Sequence, residues 1–164
     1  MDDATSFSPY GTHIPVLAAA VAMARSGPVL ELGAGEFSTA LLHAVCAATN
    51  RRLVTIDHDP NWVARFAAYR SENHRVETMS WDNIPSEQWA VVFIDHAPAE
   101  RRKIDIENLR ERCELMVIHD TEDYRYEYTD ALFGKFTYRI DYKRLVPWTT
   151  ILSMTRDLSA LTDF

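Results

Sequence analysis

Short apolar runs of strand length alternate along the chain with longer amphipathic stretches of helix length. The runs are rich in Val, Ile and Leu at successive positions, as expected of strands that are covered on both faces of a sheet. They predict strands at 29–32, 53–56, 75–78, 91–94 and 115–118. The stretches between them predict helices at 14–24, 38–48, 61–69 and 99–112. Regular alternation of this kind indicates βαβ units and a parallel sheet.

The pattern changes after the fifth strand. It predicts a helix at 125–133 with Gly134 as its C-terminal cap, then strands at 136–142 and 149–154. Because only a short loop joins these two strands, we expect them to be antiparallel. Residues 1–164 are therefore expected to form a single α/β domain. Its sheet would be doubly wound, seven-stranded and mostly parallel, with a C-terminal antiparallel strand pair and helices on both faces.

Charge and composition limit the functions open to such a domain. Lys and Arg number 17 against 24 Asp and Glu, and a net charge of −7 argues against a nucleic-acid partner. The start Met1-Asp2-Asp3 lacks the positive region of a secretory signal, and no apolar run approaches membrane-spanning length. We therefore expect a soluble cytoplasmic protein with no membrane partner. Cys46 and Cys113 lack metal-type spacing and are expected to be buried, reduced thiols.

Two of the five glycines, Gly33 and Gly35, lie together between the first strand and the second helix. Glycine lets the backbone turn tightly and approach a ligand, and the N–H groups at the start of the following helix are free to bind polar atoms. Asp57 ends the second strand, where a carboxylate can accept hydrogen bonds from both hydroxyls of a ribose. The glycine loop and this acid together predict a site for an adenosine-containing ligand.

The residues around the glycines indicate which ligand this is. A dinucleotide fingerprint has a third glycine where this chain has Ser38, and Glu31 would be poorly placed beside a pyrophosphate. A carboxylate at Glu31 suits a cationic sulfonium instead. At these residues the chain resembles the class I S-adenosylmethionine-dependent methyltransferases, whose first motif, acid-x-Gly-x-Gly, is matched by Glu31, Gly33 and Gly35. The resemblance covers nearly the whole chain, since that family's sheet has seven strands and ends in an antiparallel pair.

The resemblance implies S-adenosylmethionine as the cofactor and assigns its contacts. The loop from Glu31 to Gly35, which includes Ala34, would lie against the methionine part together with Ser38. Asp57 would bind the ribose beside His58, and Asp82 would meet the adenine amino group. Trp81 would either stack on the base or close the edge of the sheet. The residues expected to fold over the methionine end are Tyr10, Thr12 and His13. The alternative is that they only cap the first helix, with Thr12 as its N-cap.

Aspartate and histidine stand side by side at three predicted strand ends. In an open parallel sheet these ends face the ligand crevice. The acceptor-side candidates for catalysis are Asp95, His96, His119 and Asp120, and Asp95 is also expected to contact the cofactor. A histidine with a pKa near 6.5 suits removal of a proton from an acceptor oxygen or nitrogen, and we favour this route.

A metal ion is the alternative catalytic device. Asp95 and Asp120 align with metal-binding acids of catechol-type O-methyltransferases, and the stretch from Glu36 to Thr39 resembles the Gly-x-Ser-Thr variant of such enzymes. The third ligand would be Thr121, which is weaker than asparagine, so Mg²⁺ is not favoured. The basic run 101–103 is expected to be a solvated helix face, because Asp and Glu balance it at helical spacing.

The function that follows is transfer of a methyl group to an oxygen or nitrogen of a small-molecule acceptor. The alternatives are a protein that uses bound S-adenosylmethionine for other chemistry, or a non-catalytic regulatory subunit. We also expect a homodimer, because a partner chain commonly closes an open crevice. The aromatic residues of the last strand pair that would supply the interface are Phe136, Tyr138, Tyr142 and Trp148.

Overall fold

The computed structural model describes residues 8–162, and a seven-stranded sheet lies at its centre. The strands are β1 (Val29–Leu32), β2 (Leu53–Asp57), β3 (His74–Thr78), β4 (Trp89–Ile94), β5 (Cys113–His119), β6 (Tyr138–Tyr142) and β7 (Thr149–Ser153). Their order in the sheet is β3-β2-β1-β4-β5-β7-β6. The first five strands are parallel, and β7 runs antiparallel to both β5 and β6. The predicted fold class is confirmed.

Helices cover both faces of this sheet. They are α1 (Ile14–Met23), α2 (Ser38–Ala48), α3 (Pro60–Ala64), α4 (Ala99–Leu109) and α5 (Asp130–Phe133). Strand side chains alternate between two apolar layers, because successive residues of a strand point to opposite faces. One layer packs under α1 and α2, and the other packs under α4 and α5. The central strands β1 and β4, and β5 from Leu115 onward, are buried on both sides, which explains their largely apolar sequences. The edge strands β3 and β6 are partly exposed.

Several element boundaries differ from those that the sequence predicts. The third and fourth helices are shorter, and each is followed by a 3₁₀ turn, at Ala67–Tyr69 and Arg110–Arg112. The helix predicted at 125–133 is wrong, because Glu127 adopts the left-handed conformation and Thr129 caps a new helix by accepting from the Leu132 N–H. Gly134 does end α5, where its N–H bonds to the Asp130 carbonyl.

The cap of the first helix and the exposure of one cysteine also differ from what the sequence predicts. The N-cap position of α1 is His13, so the expectation that Thr12 caps this helix is wrong. The stretch Met1-Asp2-Asp3 lies outside the described residues. Both cysteines are free thiols, but Cys113 is partly exposed whereas Cys46 is buried. Across residues 8–162, none of the helices has the length and apolar character needed to cross a membrane.

The strand order reverses between β1 and β4, and this opens a crevice at their carboxyl ends. Gly33 follows β1 with φ +96°, and a Cβ built on it would stand 2.6 Å from the Asp95 carbonyl oxygen at the end of β4. Only glycine accepts both that conformation and that close approach without strain. The sequence therefore folds with the glycine loop packed directly against the end of β4.

Candidate active site

A cavity of about 380 Å³ opens between the glycine loop, the start of α2 and the segment before α1. That volume falls within the range of small-molecule pockets. Its lining residues are Tyr10, His13, Ala34, Gly35, Glu36, Phe37, Ser38, Trp62 and Asp95. Six of these were among the expected cofactor contacts: Tyr10, His13, Ala34, Gly35, Ser38 and Asp95.

Glu31 lies beneath the glycine loop rather than in the cavity. Its Oε2 accepts hydrogen bonds from the hydroxyls of Thr39 at 2.9 Å and Thr55 at 2.6 Å, and Thr39 in turn accepts from the Gly35 N–H at 3.0 Å. Within the described residues, Oε1 has no hydrogen-bond partner. Burial raises the pKa of Glu31 to about 7, although the hydrogen bonds from hydroxyl groups oppose the shift. Glu31 thus supports the loop through Thr39.

We expect Glu31 to make the free protein less stable as the pH rises from about 4.5 to about 7. In this window the unfolded chain has lost the proton of Glu31 while the folded chain retains it, so each unit of pH favours unfolding. The shift corresponds to about 3 kcal/mol of the free energy of unfolding, lost fully above pH 7. Urea unfolding of the wild type and of Glu31→Gln across this range measures the effect.

The isosteric amide Glu31→Gln does not titrate, so the difference between the two proteins isolates Glu31 from all other acids. Parallel stability curves for the wild type and Glu31→Gln from pH 4.5 to pH 8 would contradict a raised pKa.

Asp57 lies at the end of β2, beside the glycine loop, where the ribose contact was expected. Its side chain is nearly buried, with Oδ2 accepting from the Ala34 N–H at 3.2 Å and Oδ1 accepting from the Asp59 N–H at 3.1 Å. The ring of His58 lies 3.2 Å from Oδ1 and is half exposed. Asp57 is therefore tied to the loop that borders the cavity.

The residues expected at the adenine end lie further from this cavity. Trp81 is buried, stacks on His96 with ring centroids 4.2 Å apart, and donates its Nε1–H to the Ala97 carbonyl at 3.0 Å. Its ring therefore packs at the end of β4, in the apolar layer that lies under α4. Asp82 is largely exposed and pairs with Arg101 at 2.6 Å.

His119 and Asp95 meet at the carboxyl ends of β5 and β4. The His119 Nδ1 lies 3.4 Å from an oxygen of Asp95 and 3.4 Å from an oxygen of Asp120, and its Nε2 lies 2.9 Å from the Thr12 hydroxyl. Thr12 donates its own proton to the Pro147 carbonyl at 2.8 Å. Both nitrogens of His119 thus face acceptors, an arrangement that favours the doubly protonated ring.

The charges around His119 also favour its doubly protonated form. Burial alone would lower the pKa of His119, but the hydrogen bond to Asp95 and the charges of Asp95 and Asp120 outweigh it, so the pKa is raised. Burial would likewise raise the pKa of Asp95, yet the bond from His119 and the charges of Arg102 and His119 lower it. Asp95 and His119 are therefore a coupled pair of opposite charge.

His13 completes the acceptor side of the cavity. Its ring is only 1% exposed, lies 4.8 Å from the ring of His119, and packs on Phe93. Neither of its nitrogens has a hydrogen-bond partner among the described residues. Burial lowers the pKa of His13 to about 4, with the charge of His119 adding to the effect. His13 is therefore a neutral imidazole beside Asp95 and His119.

His96 does not join this group, which corrects its expected place at the crevice. Its side chain is fully buried on the α4 face of the sheet, where Nε2 lies 3.0 Å from an oxygen of Asp105. Because Asp95 and His96 are consecutive, they leave the strand on opposite faces. Burial lowers the pKa of His96 despite its bond to Asp105. We therefore do not retain His96 as an acceptor-side base.

The basic run on α4 also differs from its expected role as a solvated face. Arg102 is only 4% exposed and bridges the acids at two strand ends, with Nη2 at 2.9 Å from Asp95 and Nη1 at 3.2 Å from Asp120. Its Nε donates to the His96 carbonyl at 2.6 Å, and the guanidinium lies over the ring of Tyr126. Arg102 thus holds the carboxyl ends of β4 and β5 together.

This arrangement does not fit the magnesium site that Asp95, Asp120 and Thr121 would form. The Arg102 guanidinium is already paired with both carboxylates, and the Tyr126 hydroxyl donates to Asp120 at 2.9 Å. The Thr121 hydroxyl oxygen accepts from Thr150 at 3.0 Å. A hard cation requires oxygen ligands that are free to surround it. Arg102 supplies the positive charge at this position instead.

Sequence reasoning missed the role of Arg102, although a signal was present. Arg102, Ile106 and Leu109 follow one another at spacings of four and three, so they share the face of α4 that packs on the sheet. It also missed the grouping of His13 with Asp95 and His119. That contact joins residues 106 positions apart, and no local pattern reports it.

Comparisons with known proteins agree with this architecture. No family model and no curated protein matches the sequence. An S-adenosylmethionine-dependent O-methyltransferase from Thermotoga maritima superposes with a TM-score of 0.70 at 11% identity, over 95% of this chain and 69% of that one. The C-terminal domain of precorrin-6Y C5,15-methyltransferase from Rhodobacter capsulatus gives 0.59 at 13% identity, over 93% and 91%.

A third solved structure carries the product of the cofactor. The plantazolicin methyltransferase in complex with S-adenosyl-homocysteine gives a TM-score of 0.63 at 10% identity, over 89% of this chain and 84% of that one. The three proteins superpose on most of this chain at only 10–13% sequence identity, so the likeness concerns the fold. The chain has the fold of the class I S-adenosylmethionine-dependent methyltransferases.

Proposed function

We propose that the protein transfers a methyl group from S-adenosylmethionine to an oxygen or nitrogen of a small acceptor. The observation that carries this proposal is the cavity beside the glycine loop, which is bordered by Asp95 and His13 with His119 as their neighbour. A pocket of small-molecule size and a group of acid and base side chains thus meet at the crevice between β1 and β4. Class I methyltransferases use this crevice, and the superpositions above support the comparison.

The residues around the cavity are of the kinds that the proposed cofactor would contact. The backbone at Ala34 and Gly35 borders the cavity, and the Asp57 carboxylate stands at the strand end next to it. The carboxylates of Asp95 and Glu36 also line the wall. Arg102 and His119 pair with Asp95, and Arg65 pairs with Glu36. S-adenosylmethionine would supply a methyl group on a positively charged sulfur, ready for direct displacement by a nucleophile.

On the acceptor side, the chain contributes mainly by positioning. Holding the methyl donor and the acceptor in line supplies much of the rate acceleration in such a transfer. Arg102 fixes Asp95, and Thr12 fixes His119, so the two groups nearest the cavity have defined orientations. We propose that the acceptor binds against Asp95 and His119 and passes its proton to the Asp95 carboxylate, because His119 already carries a proton on both ring nitrogens.

The acceptor itself is proposed only by class. The net charge of −7 and the cavity size favour a small molecule over nucleic acid. The comparison proteins act on varied molecules, precorrin-6Y and plantazolicin among those they are named for. Turnover with a panel of acceptors separates a methyltransferase from a regulatory subunit or from other sulfonium chemistry.

We also propose that two copies associate through the terminal strand pair. Tyr138, Tyr142 and Trp148 are half-buried aromatic residues of the kind enriched at interfaces. Phe136 belongs to the core, so it adds no interface area.

Asp57→Ala should weaken binding of S-adenosylmethionine at least about tenfold, because one hydrogen bond to a charged group contributes roughly 1.5–3 kcal/mol. Isothermal calorimetry with S-adenosylmethionine and S-adenosylhomocysteine measures the change. The control is Glu111→Ala, which removes an exposed carboxylate from the 3₁₀ turn after α4.

Unchanged affinity in Asp57→Ala would contradict the ribose contact. A wild-type protein that binds neither compound would contradict the proposed function.

A further inference from the structure

We propose that His13, Asp95 and His119 form a binding site for a divalent transition-metal ion at the acceptor end of the cavity. Their nearest ligand atoms all lie within 4.8 Å of one another. Two imidazoles and one carboxylate are a ligand set that leaves further positions open for a small molecule. The three residues come from the start of α1 and the ends of β4 and β5, so the fold itself brings them together.

The spacing of Asp95 and His119 already suits such an ion. Ligand atoms held tetrahedrally at about 2.1 Å from a metal lie about 3.4 Å apart. The His119 Nδ1 and the nearer Asp95 oxygen are separated by 3.4 Å. The ion would replace the proton that these two atoms now share, and Arg102 would keep the other Asp95 oxygen.

His13 supplies the independent observation that points to a ligand. Its ring is 1% exposed, and within residues 8–162 neither nitrogen has a hydrogen-bond partner. A buried polar group without a partner is unfavourable, and the great majority in native proteins are satisfied. The ring stands next to the Asp95–His119 pair, so an ion bound there would give one nitrogen of His13 a partner once the ring moves closer to that pair.

The surroundings of His119 resemble the support that metal-bound histidines usually have. Such a histidine donates its other ring N–H to an oxygen, which fixes the orientation of the ring. Here the Nε2 of His119 faces the Thr12 hydroxyl, which is anchored on the Pro147 carbonyl. Nitrogen ligands favour ions such as Zn²⁺, Co²⁺, Ni²⁺ or Fe²⁺ over Mg²⁺. This site therefore differs in two of its three residues and in metal class from the disfavoured magnesium alternative at Asp95, Asp120 and Thr121.

The inference deepens the proposed function, because an ion here would hold and polarise an acceptor oxygen beside the cofactor cavity. Its test does not depend on methyl transfer. Protein stripped with a chelator and dialysed is titrated with Co²⁺ alone, and d–d absorption and calorimetry are recorded. We expect one Co²⁺ per chain, displaced by Zn²⁺ and unaffected by excess Mg²⁺.

Variants then locate the ion. His13→Ala and His119→Ala should weaken Co²⁺ binding by more than the roughly 10–100-fold that loss of an outer partner costs. His13→Asn is a second, milder variant in case His13→Ala fails to fold, which circular dichroism detects. The control is His43→Ala, since His43 lies on α2, contacts His74 of β3 and does not line the cavity.

Absence of saturable Co²⁺ binding, or binding that His13→Ala and His13→Asn leave unchanged, would overturn the proposal. Either result leaves the cofactor test with Asp57→Ala intact, so a failure of the metal site is distinguishable from a failure of the proposed function.

Discussion

Asp95→Asn should lower the rate of methyl transfer by about 10²–10⁴ while the protein stays folded. Asp95 contacts Arg102 through one oxygen and His119 through the other, and it borders the cavity. Asparagine keeps the shape but removes the charge that balances His119 and that would bind an ion. The loss should therefore fall on kcat, whether the Asp95–His119 pair or a bound metal ion assists removal of the acceptor's proton. Steady-state kinetics with any acceptor that the wild type methylates measures it.

Two further measurements test whether the loss in Asp95→Asn is specific to catalysis. Affinity for S-adenosylhomocysteine should fall by less than about tenfold in Asp95→Asn. A tenfold loss corresponds to about 1.4 kcal/mol of binding free energy. Asp130→Asn removes a fully exposed carboxylate and should keep the wild-type rate. A wild-type kcat in Asp95→Asn would remove the acceptor-side cluster from the proposed function and leave positioning alone as the catalytic device.

Arg102→Met should lower the free energy of unfolding by about 3 kcal/mol or more at neutral pH. Removing one partner of a buried ion pair leaves the other charge uncompensated, which typically costs 3–5 kcal/mol. Asp95 and Asp120 keep roughly a fifth to a quarter of their side-chain exposure, so we expect the lower end of that range. Urea unfolding measures the loss, and the midpoint of thermal unfolding should fall by roughly 6–12 °C.

The neighbouring residue on α4 provides a matched control. Lys103 is a half-exposed cation that pairs with the exposed Glu127, and surface pairs of this kind contribute little. Lys103→Met should therefore change stability by less than about 1 kcal/mol. Equal losses in Arg102→Met and Lys103→Met would show that Arg102 is not the link between the ends of β4 and β5.

The sequence of the parallel sheet carried enough local information to predict it. Runs such as 91–94 in β4 are apolar at every position because both faces of the strand are covered, and the helices between the strands have their own period. The segment before α5 was not predictable in the same way. The left-handed residue Glu127 and the Thr129 cap divide what looks like one helix, and the local pattern of apolar residues does not report a backbone turn.

The candidate site likewise has features that the sequence predicts and features that only the tertiary structure decides. Sequence alone determined the glycine loop, the acid at the end of β2 and the strand ends that carry Asp95 and His119, because strand–loop–helix order is a local property. Only the tertiary structure decided which of these side chains share a face. Alternation along β4 sends His96 under α4, and packing of the segment before α1 on β5 brings His13 to His119. Contacts between distant parts of a chain depend on how whole elements pack, and no short window of sequence contains them.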